Sequence, residues 1–209
     1  MHSFDHDPVN TKTIGGDWTA WANDIEKKYL SVCQNKTVLE IACNTGLISQ
    51  RIVNQNPKTL TMIDPGFKKS PTEETDTIKF LSEDVHAWLP MASKTDVVIC
   101  FGLLYHLHSP LHLLEIIVNY CDPETIMLDS VVAPHPLAFN LEINNRPGNR
   151  YVGRNWKHCP FNMPTPFFII NQSLDHMGYL LDKSHHLRCE PFPKSNGWVA
   201  SWIKKVNQI

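Results

Sequence analysis

The sequence predicts an α/β fold: a mostly parallel sheet with helices on both faces, formed by a single domain. Three observations carry this. Short runs of β-branched and aliphatic residues alternate with segments of helical period. Several of those runs end in Asp, Asn or Gly, the chemistry of tight turns. Residues 96–101, Asp-Val-Val-Ile-Cys-Phe, are apolar almost without interruption, as in a strand covered on both sides.

The elements follow in order. Trp18, Trp21, Ala22, Ile25, Tyr29 and Leu30 recur at helical spacing after Asp17. Residues 37–42 form the first strand, and Cys43-Asn44-Thr45-Gly46 its turn. Leu47, Ile48, Ile52 and Val53 mark a second helix. Residues 60–64 are a strand closed by Pro65-Gly66, and residues 78–81 a shorter one ending near Asp84. After the fourth strand, at 96–101, Pro110 opens a helix carrying Leu113, Leu114, Ile117 and Val118. Residues 125–132 are the fifth strand. Residues 133–166 then lose periodicity and hold six prolines. Their aromatics Phe139, Tyr151, Trp156 and Phe161 favour an ordered cap, inserted after strand five, over a disordered linker. A helix at 167–177 and closing strands at 179–189 and 198–205 complete the pattern, with a hairpin around Pro191-Phe192-Pro193.

Composition narrows the function. At 209 residues with 42% hydrophobic content, the chain can bury a full core as one domain. A net charge of −2 gives no global positive field for nucleic acid, although a local basic face would suffice. The six cysteines form no C-x-x-C pair, and Cys43 and Cys100 fall in or beside apolar runs, so buried thiols are expected rather than disulfides. The histidines lack zinc-binding spacing, and no metal is expected. The N-terminal MHSFDHDPVN has no basic-then-apolar leader, and no apolar run approaches the ~20 residues of a membrane span; a cytoplasmic protein without membrane contact is expected.

Open parallel sheets bind ligands beyond the carboxyl ends of their strands. Four such ends carry suitable groups: Glu40-Ile41-Ala42-Cys43-Asn44-Thr45-Gly46; Asp64; Asp84-Val85; and Phe101-Gly102-Leu103-Leu104-Tyr105-His106. Taken singly, Asp64 also suits an ordinary turn and Asp84 a solvated loop. The first end resembles the opening motif of class I S-adenosylmethionine (SAM)-dependent methyltransferases, an acid followed by alternating glycines. Here Gly46 keeps the last glycine, while Ala42 and Asn44 replace the others. The run Leu104-Tyr105-His106-Leu107, followed by Ser109-Pro110, resembles the fourth motif of the branch that includes the tRNA wobble-uridine carboxymethyltransferases. An Arg150-Tyr151…Arg154-Asn155 pattern resembles that branch as well.

The resemblance implies a Rossmann-like, seven-stranded sheet with the last strand antiparallel, and SAM as cofactor with S-adenosylhomocysteine (SAH) as product. It implies cofactor contacts from Glu40, Ala42, Cys43, Asn44, Gly46, Asp64, Asp84, Val85, Phe101, Gly102 and Tyr105. An NAD site is disfavoured, because the turn lacks G-x-G-x-x-G spacing.

His106 is the candidate general base, or caps the strand end; Tyr105 orients a ligand, or packs in the core. Arg150, Arg154, Asn155 and Trp156 are candidate substrate contacts in a basic cap that receives an anion, or is simply solvated. The expected reaction is in-line methyl transfer to a small-molecule or tRNA acceptor. Carboxymethyl transfer from carboxy-SAM to tRNA wobble uridine is a second reading, and a non-catalytic SAM-binding regulatory module a third. Against the second, the branch's carboxylate-binding lysine has no aligned partner here, and Ser195 stands where its arginine is expected. The pattern leaves the oligomeric state open.

Overall fold

The computed structural model describes residues 18–104, 107, 109–132, 167–188 and 196–205. Among them, seven strands form one sheet: β1 (Thr37–Ile41), β2 (Thr59–Ile63), β3 (Ile78–Leu81), β4 (Val97–Cys100), β5 (Thr125–Val132), β6 (Tyr179–Arg188) and β7 (Asn196–Lys204). Their order is β3-β2-β1-β4-β5-β7-β6. The first five run parallel, and β7 pairs antiparallel with both β5 and β6. Chain direction therefore switches sides between β1 and β4, the place where such sheets open a ligand crevice.

Alternation along each strand divides the core into two layers. Leu39, Ile41, Val98, Cys100, Ile126 and Leu128 face α4 (Pro110–Ile116) and α5 (Phe167–His176), meeting Leu113, Leu114, Ile170 and Leu174. Val38, Leu60, Met62, Val97, Ile99 and Met127 face α1 (Trp18–Tyr29) and α2 (Ser49–Asn54), meeting Ala22, Ile25 and Ile52. In α1 the buried Ala22, Ile25 and Tyr29 form one stripe, and Lys27 and Lys28 end the helix where cations suit its dipole. Trp202, fully buried, donates from its indole N–H to Asn171 at 2.9 Å, tying β7 to α5.

The β2–β3 connection has no helix, as the sequence reading has it; residues 64–77 cross between these parallel strands as turns and bends. Pro65-Gly66 and Pro71 interrupt any helical run there. One short helix went unread: α3 (Val85–Trp88) follows β3 and continues as a 3-10 turn, Leu89–Met91. At the end of α4 the chain widens into a π turn, Ile117–Cys121. Cys33, Cys43, Cys100 and Cys121 are free and buried. The expected cap at 133–166 and the residues linking β6 to β7 lie outside the described residues. No described helix is long and apolar enough to cross a membrane.

Candidate cofactor site

The turn after β1 is built from left-handed backbone at alternate positions: Ala42 (φ 60°), Asn44 (φ 50°) and Gly46 (φ 80°). The glycine pattern is thus kept in conformation where it is lost in residue type. Asn tolerates this geometry, while at Ala42 it costs roughly 1–2 kcal/mol. The Ala42 N–H donates to the Ile63 carbonyl at 2.8 Å, which holds the strained residue to the tip of β2. Gly46 is required twice over. A Cβ there would lie 2.3 Å from Pro71 Cβ, so the β2–β3 crossover packs directly on this turn.

Asp64 sits at the end of β2, partly buried, with both oxygens engaged. Oδ2 accepts the Asn44 N–H at 2.9 Å, and Oδ1 accepts the Gly66 N–H at 2.8 Å. A carboxylate offers about four acceptor positions. Two stay available to a diol, and the backbone donors fix their direction.

Glu40 points into the α1–α2 layer and is only 4% exposed. Ser49 Oγ, from the first turn of α2, donates to it at 2.5 Å. Burial pushes its carboxyl up to about 8, against the Ser49 hydrogen bond and with help from the Asp64 charge. Burial likewise raises the Cys43 thiol, reinforced by Glu40 and Asp64, so Cys43 sits here as an un-ionised packing group.

Asp84 is exposed where β3 leads into α3. It caps α3, accepting N–H bonds from His86 at 2.8 Å and Ala87 at 3.4 Å, while Val85 beside it is buried. Phe101 is buried edge-on against Trp21 of α1, with ring centroids 6.0 Å apart at 73°. Gly102 is left-handed (φ 72°) and donates its N–H to Asp129 Oδ1 at 2.5 Å.

Asp129 was missed because it reads as an interior residue of strand five. Only the end of the β4–β5 ladder at Leu128 reveals it. Burial pushes the Asp129 carboxyl up to about 7, opposed by the Gly102 N–H. Leu104, fully buried, anchors the run that begins at Gly102, and the Leu107 N–H returns to its carbonyl at 3.2 Å. Tyr105 and His106 fall between these anchors and, like Arg150, Arg154, Asn155 and Trp156, lie outside the described residues. Among the described residues no group of three or more His, Cys, Asp or Glu side chains is arranged to hold a metal.

The strand ends thus bring Glu40, Ala42, Cys43, Asn44, Gly46 and Asp64 together around two adjoining tips, with Phe101 and Gly102 just beyond the end of the neighbouring β4. Comparison with known proteins gives the chain its family. A family model described as a methyltransferase domain matches residues 22–189. The chain belongs to that family. Among curated proteins it is similar to the tRNA U34 carboxymethyltransferase of Helicobacter pylori (strain HPAG1), 29% identical over 140 residues, which is 61% of this chain and 53% of that protein. The Shewanella oneidensis protein of the same name is 32% identical over 116 residues, 49% of this chain and 34% of that one. The chain spans about half the length, or less, of these relatives.

Solved structures share the fold. Magnesium protoporphyrin IX methyltransferase from Synechocystis PCC 6803, with bound SAH, gives a TM-score of 0.65 at 12% identity, over 96% of this chain and 89% of that one. A SAM-dependent methyltransferase from Mesorhizobium loti gives 0.62 at 11%, over 89% and 98%.

Proposed function

We propose that this domain transfers a methyl group from SAM, by in-line displacement, to an acceptor presented over the ends of β4 and β5. The observation that carries this reading is the joint between the first two strand tips. The Asn44 N–H on Asp64 fixes a carboxylate beside a left-handed turn that opens into α2. That carboxylate suits the ribose hydroxyls, and the turn's backbone suits the amino-acid tail. When bound, SAM supplies the activated methyl carbon, so the protein's task is alignment. In this reading Phe101 and Gly102 line the transfer chamber. Tyr105 orients the ligand, and His106 accepts a proton where the acceptor carries one. Arg150 and Arg154, with Asn155 and Trp156, receive an anionic part of the acceptor, a small acid or a tRNA phosphate.

A second reading, carboxymethyl transfer to tRNA, is favoured by the names of the curated relatives. Calorimetry with SAM, SAH and carboxy-SAM separates the two. Tighter binding of SAM and SAH supports methyl transfer. Tighter binding of carboxy-SAM supports the tRNA reaction, and binding of none defeats both. Once an acceptor is found, Arg154→Ala should abolish transfer while leaving SAM affinity unchanged. Full retained activity removes the basic cap from the mechanism. Tight SAM binding without transfer to any acceptor in a broad panel would identify a regulatory module instead.

A further inference from the structure

We propose that Asp129 is a positioning residue for the cofactor chamber: its carboxylate holds the Gly102 N–H and so fixes the path by which the chain leaves β4 and passes through Gly102 to Leu104. This rests on the reading of this sheet edge as a SAM site.

The β4–β5 ladder ends at Cys100 and Leu128. Asp129 is therefore the first residue of β5 without a strand partner on that side, while β5 itself runs on to Val132 against β7. A backbone leaving β4 here has lost its ladder acceptors, and an unsatisfied N–H beside the core is costly. The Asp129 side chain takes the ladder's place, accepting the Gly102 N–H at 2.5 Å. Gly102 is also the residue where the chain turns left-handed, so the bond grips the chain at its pivot. Two residues on, fully buried Leu104 provides a second anchor. A carboxylate makes a stronger, shorter bond to an N–H than a neutral acceptor does, so charge on Asp129 tightens the grip.

That charge changes near neutrality, because burial has raised the carboxyl to about 7. Cys100 on β4 keeps its proton through this range, since burial pushes its thiol up further. On β7 the paired residue is Val199, and on β6 His185 holds the same register row. The α1 side presents Trp21 against Phe101, and Glu40 lies on β1, two strands away. Glu40 is the group whose titration has to be told apart from that of Asp129.

The test uses the full chain labelled with ¹⁵N. The Gly102 amide proton should move downfield as pH rises from 5.5 to 9, with a midpoint near 7, and Asp129→Asn should abolish that movement. By calorimetry, SAH should bind the wild type more tightly at pH 8 than at pH 6. Asp129→Asn should weaken binding at pH 8 about five- to tenfold and flatten the pH dependence. A movement that persists in Asp129→Asn belongs to Glu40 or another group and overturns the proposal. A chain that binds SAH but shows a flat Gly102 resonance keeps the cofactor reading and overturns the clamp. One that shows the titration but binds no SAH keeps the clamp and overturns the cofactor reading.

Discussion

Two acids at each rim of the sheet are shifted, in opposite directions at the two rims. At the carboxyl rim, Glu40 and Asp129 are pushed up to about 8 and about 7, chiefly by burial. At the amino rim, Asp96 is held below the usual carboxylate range by the Thr37 N–H and hydroxyl, at 2.7 and 2.8 Å. Asp122, near the same rim, is lowered by Lys204 and Lys94. Amino-rim acids are satisfied and stabilise the fold. Glu40 and Asp129 at the carboxyl rim are instead costly to ionise, because burial outweighs the single hydrogen bond each accepts from Ser49 and Gly102.

The contrast also sets opposite pH dependences. The stability lent by Asp96 and Asp122 is present above about pH 4, where the unfolded carboxyls ionise, and is lost as pH falls through their lowered values. For Glu40 and Asp129 the unfolded chain releases its protons near pH ~4 while the folded chain keeps them. Their contribution is therefore complete below that pH and declines as pH rises through about 7 to 8.

The sharpest way to break this contrast is Gly46→Ala. It combines a left-handed φ with a clash on Pro71, and should cost about 2–4 kcal/mol in denaturant melts. Adding Pro71→Ala should recover the clash but not the φ cost. Asp64→Ala comes next, with SAH affinity expected to fall roughly 10- to 100-fold for the loss of hydrogen bonds to a charged group. Its melting temperature should drop only a few degrees; an unchanged affinity would remove Asp64 from the site. Glu40→Gln keeps an acceptor for Ser49 without the charge. It should stabilise the protein by about 1–3 kcal/mol at pH 8.5 and flatten the fall in melting temperature between pH 6 and 8.5. Asp96→Ala should produce the smallest effect, a loss of about 1–2 kcal/mol at pH 7 that fades toward pH 3, with SAH binding untouched. Altered SAH binding in this variant would mean that the two rims communicate.

Much of this was legible in the sequence because the signals were local. β4 reads as a continuous apolar run and is buried at every position. β5 is found at the residues expected, and Asp64 was identified from its place at a strand end. Three features were hidden for definite physical reasons. An alanine announces nothing about positive φ, so the strain at Ala42 became visible only with the Ile63 carbonyl that holds it. Helix α3 is one turn long, too short for periodicity, although Asp84 was its cap signal. Asp129 owes its role to the mismatch in length between β4 and β5, a tertiary fact that no single segment records.

The helix-free crossover between β2 and β3 has a consequence for how this domain opens. β3 is an edge strand with no fully buried residue, and a loop instead of a helix adjoins it. Its amides should be among the first to exchange with solvent, in a unit that includes the crossover and its seat on Gly46. Asp64 is at the junction of that unit with β2. A cofactor that grips Asp64 would then do more than fill a crevice: it would fasten the least secured flank of the sheet, so that occupancy is recorded as slowed exchange in β3, well beyond the contact itself.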